Sequence, residues 1–358
     1  MRTNGIFDED RRLRSIDKLG DPLQKLEKWV DWEVLNEVLK KREVRNQLRA
    51  KRAGGRPSYD SLLILKMLIL QKLYNLSDDQ VEYQCKDRLT FTRFLGLALG
   101  DAVPDAKTIW HYREEWTKTG LLDELFHTFR HHLEQEEVIT RSGSIVDASF
   151  INRRKQKLST QEYEQIKAGE VPERIKENKS RLRQTDLDAR VVKRNGETVG
   201  NGYKMHIKVD AESKCVVQMK ATSANVSDVD MAAPLMDKHD KVLYADKGYV
   251  GEEQRQDIEN KVKGKGGEID IQIHERASRG HPLSEEAQER NRQRSKIRVA
   301  VEHVFGAIKH DCNWRMVYSV GLMRAYGHML LAVLTYNLKR SSMLLERAGK
   351  NPGRTVPA

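Results

Sequence analysis

Hydrophobic and polar positions divide the chain into two halves with different periods. From Asp60 to Tyr74 apolar residues are too dense for a helix with a wet face, so this element is expected at the centre of a helical domain. Its most apolar stretch, Leu62 to Leu70, contains Lys66 and falls far short of the roughly 20 residues of a membrane span. Ser77 followed by Asp78 and Asp79 reads as an N-cap and an acidic first turn. Pro104-Asp105 opens another helix that stops at Gly120, and Leu121 to Glu137 supplies one more. The pattern changes after Arg141-Ser142-Gly143. Short strands are expected at Ser144–Phe150, Tyr203–Asp210 and Lys214–Ala221, the second with Met205, Ile207 and Val209 on one face. Alternation follows: helix near Asp230–Lys238, strand Lys241–Asp246, helix Glu252–Val262, strand Ile269–His274, then long helices over Ser284–His310 and Met329–Arg340. A strand meander followed by alternating strands and helices is an α/β signature.

These patterns predict four regions. Residues 1–56 form a basic helical segment and linker, and 57–140 an all-helical domain. Residues 141–340 form an α/β domain with a basic insertion at 152–200, and 341–358 a flexible tail. No internal repeat is visible, and Met1 to Arg14 lacks the apolar core of a signal peptide.

Charge changes the picture. The 358 residues include 64 Lys and Arg against 53 Asp and Glu, a net charge of +11. A broad basic surface makes nucleic acid the first partner to consider, because cations that neutralise phosphates release condensed counterions. Cys85, Cys215 and Cys312 are far apart, which argues against a zinc ribbon or a disulfide framework and fits a reducing cytoplasm. His127, His131 and His132 read as a helix-surface cluster, and Gly264 to Gly267 as a turn.

The candidate chemistry is carried by carboxylates. Asp147 and Asp246 stand at the ends of apolar strands, and Glu302 lies on a long helix, an arrangement that can gather three distant acids at one sheet edge. Hard oxygen ligands of this kind suit two magnesium ions about 3.5–4 Å apart, with manganese as a substitute. On the Glu302 helix, Asn291, Arg294, Arg298, Glu302 and Lys309 fall on one polar ridge, about a quarter-turn from the apolar stripe. That ridge is either a solvated face with an ordinary Arg298–Glu302 pair, or a carboxylate flanked by cations that grip phosphates.

At these residues the chain resembles the insertion-sequence transposases of the IS "five" family, within the wider DDE group. The resemblance rests on Ile145-Val146-Asp147-Ala148-Ser149, on Tyr244-Ala245-Asp246-Lys247-Gly248-Tyr249 and on Arg298-x-x-x-Glu302-His303-x-Phe305-Gly306-x-x-Lys309. Supporting blocks are Arg56-Pro57-Ser58-Tyr59, Asp186-x-Asp188-Ala189-Arg190, Gly202-Tyr203-Lys204-x-His206 and Tyr336-Asn337-Leu338. It implies an RNase H-like catalytic domain, a mixed five-stranded sheet with helices, preceded by an all-α N-terminal domain. Asp147, Asp246 and Glu302 would be catalytic and metal-binding. The implied activity is hydrolytic cleavage at terminal inverted repeats followed by 3'-hydroxyl transfer into target DNA. A homo-oligomer on double-stranded DNA, in a prokaryotic cytoplasm at the nucleoid and away from any membrane, would carry it out. In related enzymes a Tyr precedes the Arg of the helix signature; here Ser295 occupies that position.

Further DNA contacts are expected from Arg298, Lys309, Lys247, Lys204 and His206, the last three with solvated strand ends as the rival reading. Asn225 and Asp228 either line the same pocket or cap a loop. Asp105 to Trp116 reads equally as a recognition helix offering Lys107, Thr108, His111 and Arg113 to a major groove, or as a helix packed on Ile109, Trp110 and Trp116. Two other functions stay open: a catalytically inactive DNA-binding regulator derived from a transposase, and an RNase H-like nuclease acting on RNA hybrids or junctions.

Overall fold

The computed structural model describes residues 8–49, 58–154, 156–194, 197–246, 252–275, 283–310 and 316–350. They fall into two compact units, one of residues up to Val138 together with those from Leu334, the other Ile139–Val333.

The first unit is helical: α1 (Asp8–Lys18), α2 (Pro22–Trp29), α3 (Trp32–Arg49), α4 (Ser61–Leu73), α5 (Asp78–Asp87), α6 (Leu89–Leu95), α7 (Ala106–Lys118) and α8 (Leu121–Gln135). Helix α4 is the central one, with Ile64, Leu65, Met67, Leu68, Ile69 and Leu70 fully buried. Its Lys66 is also buried, between Glu27 at 2.9 Å and the rings of Trp32 and Phe94 about 5 Å away. The side chain thus satisfies its charge inside the helical core by an ion pair and by ring quadrupoles. Ser77 caps α5 in a reciprocal box with Gln80.

The second unit begins with β1 (Ser144–Arg153) and continues through α9 (Thr160–Lys167), α10 (Glu173–Lys176), α11 (Lys179–Gln184), β2 (Arg190–Arg194), β3 (Glu197–Asp210) and β4 (Val216–Ser223). After a 3₁₀ turn come α12 (Ala232–Leu235), β5 (Val242–Ala245), α13 (Glu252–Lys263), β6 (Asp270–Ile273), α14 (Glu285–His310), β7 (Met316–Val317) and α15 (Leu322–Ala348), whose residues from Leu334 belong to the first unit. Antiparallel β4-β3-β1 continues into β5 and β6, which run parallel to β1. The five-strand expectation is corrected to seven strands among the described residues, because β2 extends β3 and the short β7 extends β1. Both additions lie where apolar periodicity is weak. Likewise 152–200 is not featureless: a capping box of Ser159 and Glu162 starts α9, and Ile166 and Ile175 anchor the short helices. Helix α15 runs past Arg340 to Ala348, with Ser341, Ser342 and Leu345 buried, so residues 341–348 are helical where a flexible tail was expected.

One face of the sheet packs Val146, Leu243, Ala245 and Ile273 against Leu235 and Met236 and against Ile258 and Val262 of α13. By alternation Ile145 and Asp147 point to the other face, and α14 packs there with Ala300, Val301, Val304, Phe305 and Ile308. Gly202 lets β3 approach β1: an added Cβ would strike the carbonyl of Ile151.

Two buried polar networks fix the sheet. Asp186 accepts from the Tyr203 hydroxyl at 2.6 Å and from the backbone amides of Asp188 and Ala189, and it lies 2.6 Å from Arg153 Nε. It therefore ties the inserted helices to β1 and β3. Burial and the neighbouring Asp186 charge push the Tyr203 phenol far above its ordinary range. On the α13 side, Lys208 is fully buried, 2.6 Å from Asp240 and 3.0 Å from Asp237, and Arg141 joins both acids. Burial opposes ionisation of Asp237, but Lys208 and Arg141 outweigh it and hold the carboxyl well below the usual range.

Lys208→Met should strand Asp240 and lower stability by ~3–5 kcal/mol in urea melts at neutral pH. A depressed carboxyl contributes stability that is full above the unfolded value near ~3.9 and is lost as pH falls through the folded one. The gap between parent and variant should therefore narrow below about pH 4.

Candidate active site

Strand pairing brings the first two acids together. Ser144 and Ile145 pair in parallel with Leu243 and Tyr244, so the same register carried two residues on sets Asp147 beside Asp246. Asp147 lies within β1, not at its end, and pairs with Ile207 on its other side. Asp246 is the first residue after β5. On α14, Arg298 donates to Glu302 at 3.2 Å and reaches Asp246 at 3.7 Å, so one guanidinium bridges the second and third acids.

Asp147 feels both. Burial, chiefly, raises its carboxyl to about 6; the Ala148 amide, donating at 2.8 Å, and the charge of Arg298 pull it down, while Glu302 and Asp228 push it up. Asp147 is only partly exposed, whereas Asp246 and Glu302 are about half open to solvent. Asp147, Asp228, Asp246 and Glu302 thus crowd one region, with Arg298 set against Asp246 and Glu302 and Lys204 against Asp228. The donor set is hard oxygen and fits a divalent ion of the magnesium type. Among the described residues no three acids yet stand within shared coordination distance, since Arg298 lies between two of them.

The remaining residues separate into those that face the site and those held elsewhere. Lys309 donates to the Phe150 carbonyl at 3.2 Å, which pins it to β1 beyond Asp147. Lys204 is paired with Asp228 at 2.9 Å and donates to the Val226 carbonyl. His206 is not a solvated strand end: it is 1% exposed, lies 2.8 Å from Thr222 Oγ1, and burial lowers its pKa to about 4, so it is neutral at physiological pH. Lys247 lies outside the described residues, as do Arg56, Gly248 and Tyr249. Further along the polar ridge, Arg294 docks on Gln272 and Ile273 of β6 and, with Asn291, on Glu275 beyond it. Ser295 meets His274 Nε2 at 2.7 Å, a polar contact in place of an aromatic one.

Helix α7 packs one face into the helical unit. Ile109, Arg113 and Trp116 are buried, and Arg113 makes a two-pronged pair with Asp78 while also donating to Gln71. As a groove-reading side chain Arg113 is corrected to a packing one, because its guanidinium is consumed inside the helical unit. Lys107, Trp110 and His111 face solvent. Asp186, missed in the sequence as more than a motif residue, proves to be the anchor of the sheet; its only signal was a polar position inside a conspicuous block.

Among the described residues no helix is long and apolar enough to cross a membrane. Residues 11–115 match the family described as Transposase domain (DUF772), and residues 139–338 match the Transposase DDE domain family. Among solved structures, a cryo-EM piggyBac transposase synaptic complex with hairpin DNA aligns over 92% of this chain and 76% of that one, at 11% identity and a TM-score of 0.45. Since the DDE match alone spans more than half of its length, the chain belongs to the transposase DDE domain family.

Proposed function

We propose that the chain is an active DNA transposase of the IS "five" group, with Asp147, Asp246 and Glu302 as its catalytic acids on an RNase H-like core. The observation that carries this reading is the strand register that sets Asp147 beside Asp246, with Arg298 linking Asp246 to Glu302. The strand order β4-β3-β1-β5-β6, with the last two parallel to β1, supports the core assignment. The substrates are the terminal inverted repeats of its own element and a target duplex, bound by a homo-oligomer.

Asp147, Asp246 and Glu302 would hold magnesium ions, which when bound supply charge neutralisation at the phosphate and activation of water or a 3'-hydroxyl. The chain's own part is positioning. Asp147 is locked by its strand and by the Ala148 amide, so its carboxylate loses little freedom on binding. Arg298 then exchanges its carboxylate partners for the phosphate beside the scissile bond, and Lys309 steadies the next one. Exposed Lys107 and His111 add contacts from the helical unit, which position DNA along its backbone.

Asp147→Asn, Asp246→Asn and Glu302→Gln should each lower divalent-dependent cleavage of end-repeat DNA by more than about a hundredfold, since even outer-shell changes cost 10–100-fold. Thermal unfolding should stay within a few degrees of the parent. Cleavage by all three variants at the parent rate would refute the assignment, and end binding without cleavage by the parent would favour an inactive regulator.

Arg298→Gln should move two properties in opposite directions. Removing the internal cation tightens manganese binding to the DNA-free protein by about tenfold, ~1.4 kcal/mol, while cleavage falls. Unchanged metal affinity by calorimetry would show that Arg298 does not compete for the acids.

A further inference from the structure

The second unit holds a cavity away from the acids. It has a volume of about 770 Å³ and opens between the end of β1, helix α9 and the β2–β3 pair, with Asn152, Thr160, Tyr163, Lys167, Asn201 and Asn225 in its wall. We propose that this cavity takes an unstacked nucleobase from the DNA strand that crosses the carboxylate site, which rests on the transposase reading above.

The lining selects the ligand class. Asn201 Oδ1 is buried and has no partner among the described residues, an acceptor whose unmet hydrogen bond is costly until something donates to it. The amides of Asn152 and Asn225 stand exposed at the rim. An amide offers a donor and an acceptor side by side, the arrangement that pairs with a base edge. Tyr163 is fixed by its hydroxyl, which accepts from the Val191 amide at 2.5 Å, so its half-buried ring is a pre-set stacking face.

The cations that line the cavity among the described residues are engaged. Arg190 donates to the carbonyls of Leu187, Ala189 and Ile166, Arg153 belongs to Asp186, and Lys167 pairs with Glu164 at the mouth. Gln156 is likewise closed, exchanging both amide bonds with the backbone of Asp186. A cavity rich in amides and poor in free charge suits a neutral heteroaromatic group rather than a phosphate. Its size lies in the range of pockets that enclose small ligands, ~300–1,000 Å³. Its place suits the same strand of DNA: Asn152 is on β1 with Asp147, a separation of ~17 Å at about 3.3 Å per residue, or roughly five nucleotides at 3.4 Å each.

The test uses the full chain and two labelled duplexes of identical arbitrary sequence, one flush and one with a single extrahelical 2-aminopurine. The bulged duplex should bind about tenfold tighter, with a change in 2-aminopurine emission. Asn201→Leu and, at the exposed rim, Asn152→Ala should each remove most of that preference while flush-duplex affinity stays the same. Equal affinity of the parent for both duplexes, or a preference that survives both substitutions, overturns the base pocket and leaves the transposase reading intact. Failure to bind either duplex overturns both.

Discussion

The parallel register of β1 against β5 is the constraint on which the site depends. Two acids a hundred residues apart in the chain become neighbours because Ser144 and Ile145 find Leu243 and Tyr244, and a slip by one residue would send Asp147 or Asp246 to the opposite face. The hydrophobic pattern enforces this register: Val146 and Ala245 must stay in the core with Ile258 and Val262 for their neighbours to face α14. Glu302 then arrives from a helix whose buried stripe, Val301, Val304, Phe305 and Ile308, sets its rotation. The placement of these acids is thus a by-product of ordinary packing.

Gathering like charges works against folding, and the structure divides that cost. Asp147 loses hydration and holds its proton to about pH 6, while Asp246 and Glu302 remain half in water and share Arg298. Away from the site the opposite strategy rules: Lys208 with Asp240, and Asp186 with Tyr203 and Arg153, are closed to solvent and matched in charge or hydrogen bonds. A rigid, satisfied frame carries an open and under-satisfied centre, the combination expected where binding must supply the missing partners.

Much of this was legible in the residues. Dense apolar runs marked α4, alternation marked β3, and the three-and-four spacing marked α14, because each of these elements buries one face or all of it. The motifs singled out Asp147, Asp246 and Glu302; sheet register places the first two side by side, and Arg298 links the second to the third. The insertion was not legible: α9 to α11 and β2 depend on caps and on isolated anchors such as Ile166 and Ile175, which leave no periodic trace. Nor could spacing show that Arg113 and His206 turn inward, since a buried cation or imidazole is decided by its partners, Asp78 for one and Thr222 for the other. Ser295 meeting His274 is another contact between segments that no local pattern announces.

The central claim is that Asp147, Asp246 and Glu302 hold one divalent centre, and localised radical cleavage tests it most directly. Ferrous iron, ascorbate and peroxide cut the backbone next to a bound metal. The account predicts three sets of fragments, with ends near residues 147, 246 and 302, all suppressed by excess magnesium and all lost together in Asp147→Asn. Cutting confined to one of these segments, or cutting that magnesium leaves unchanged, would contradict a shared metal centre.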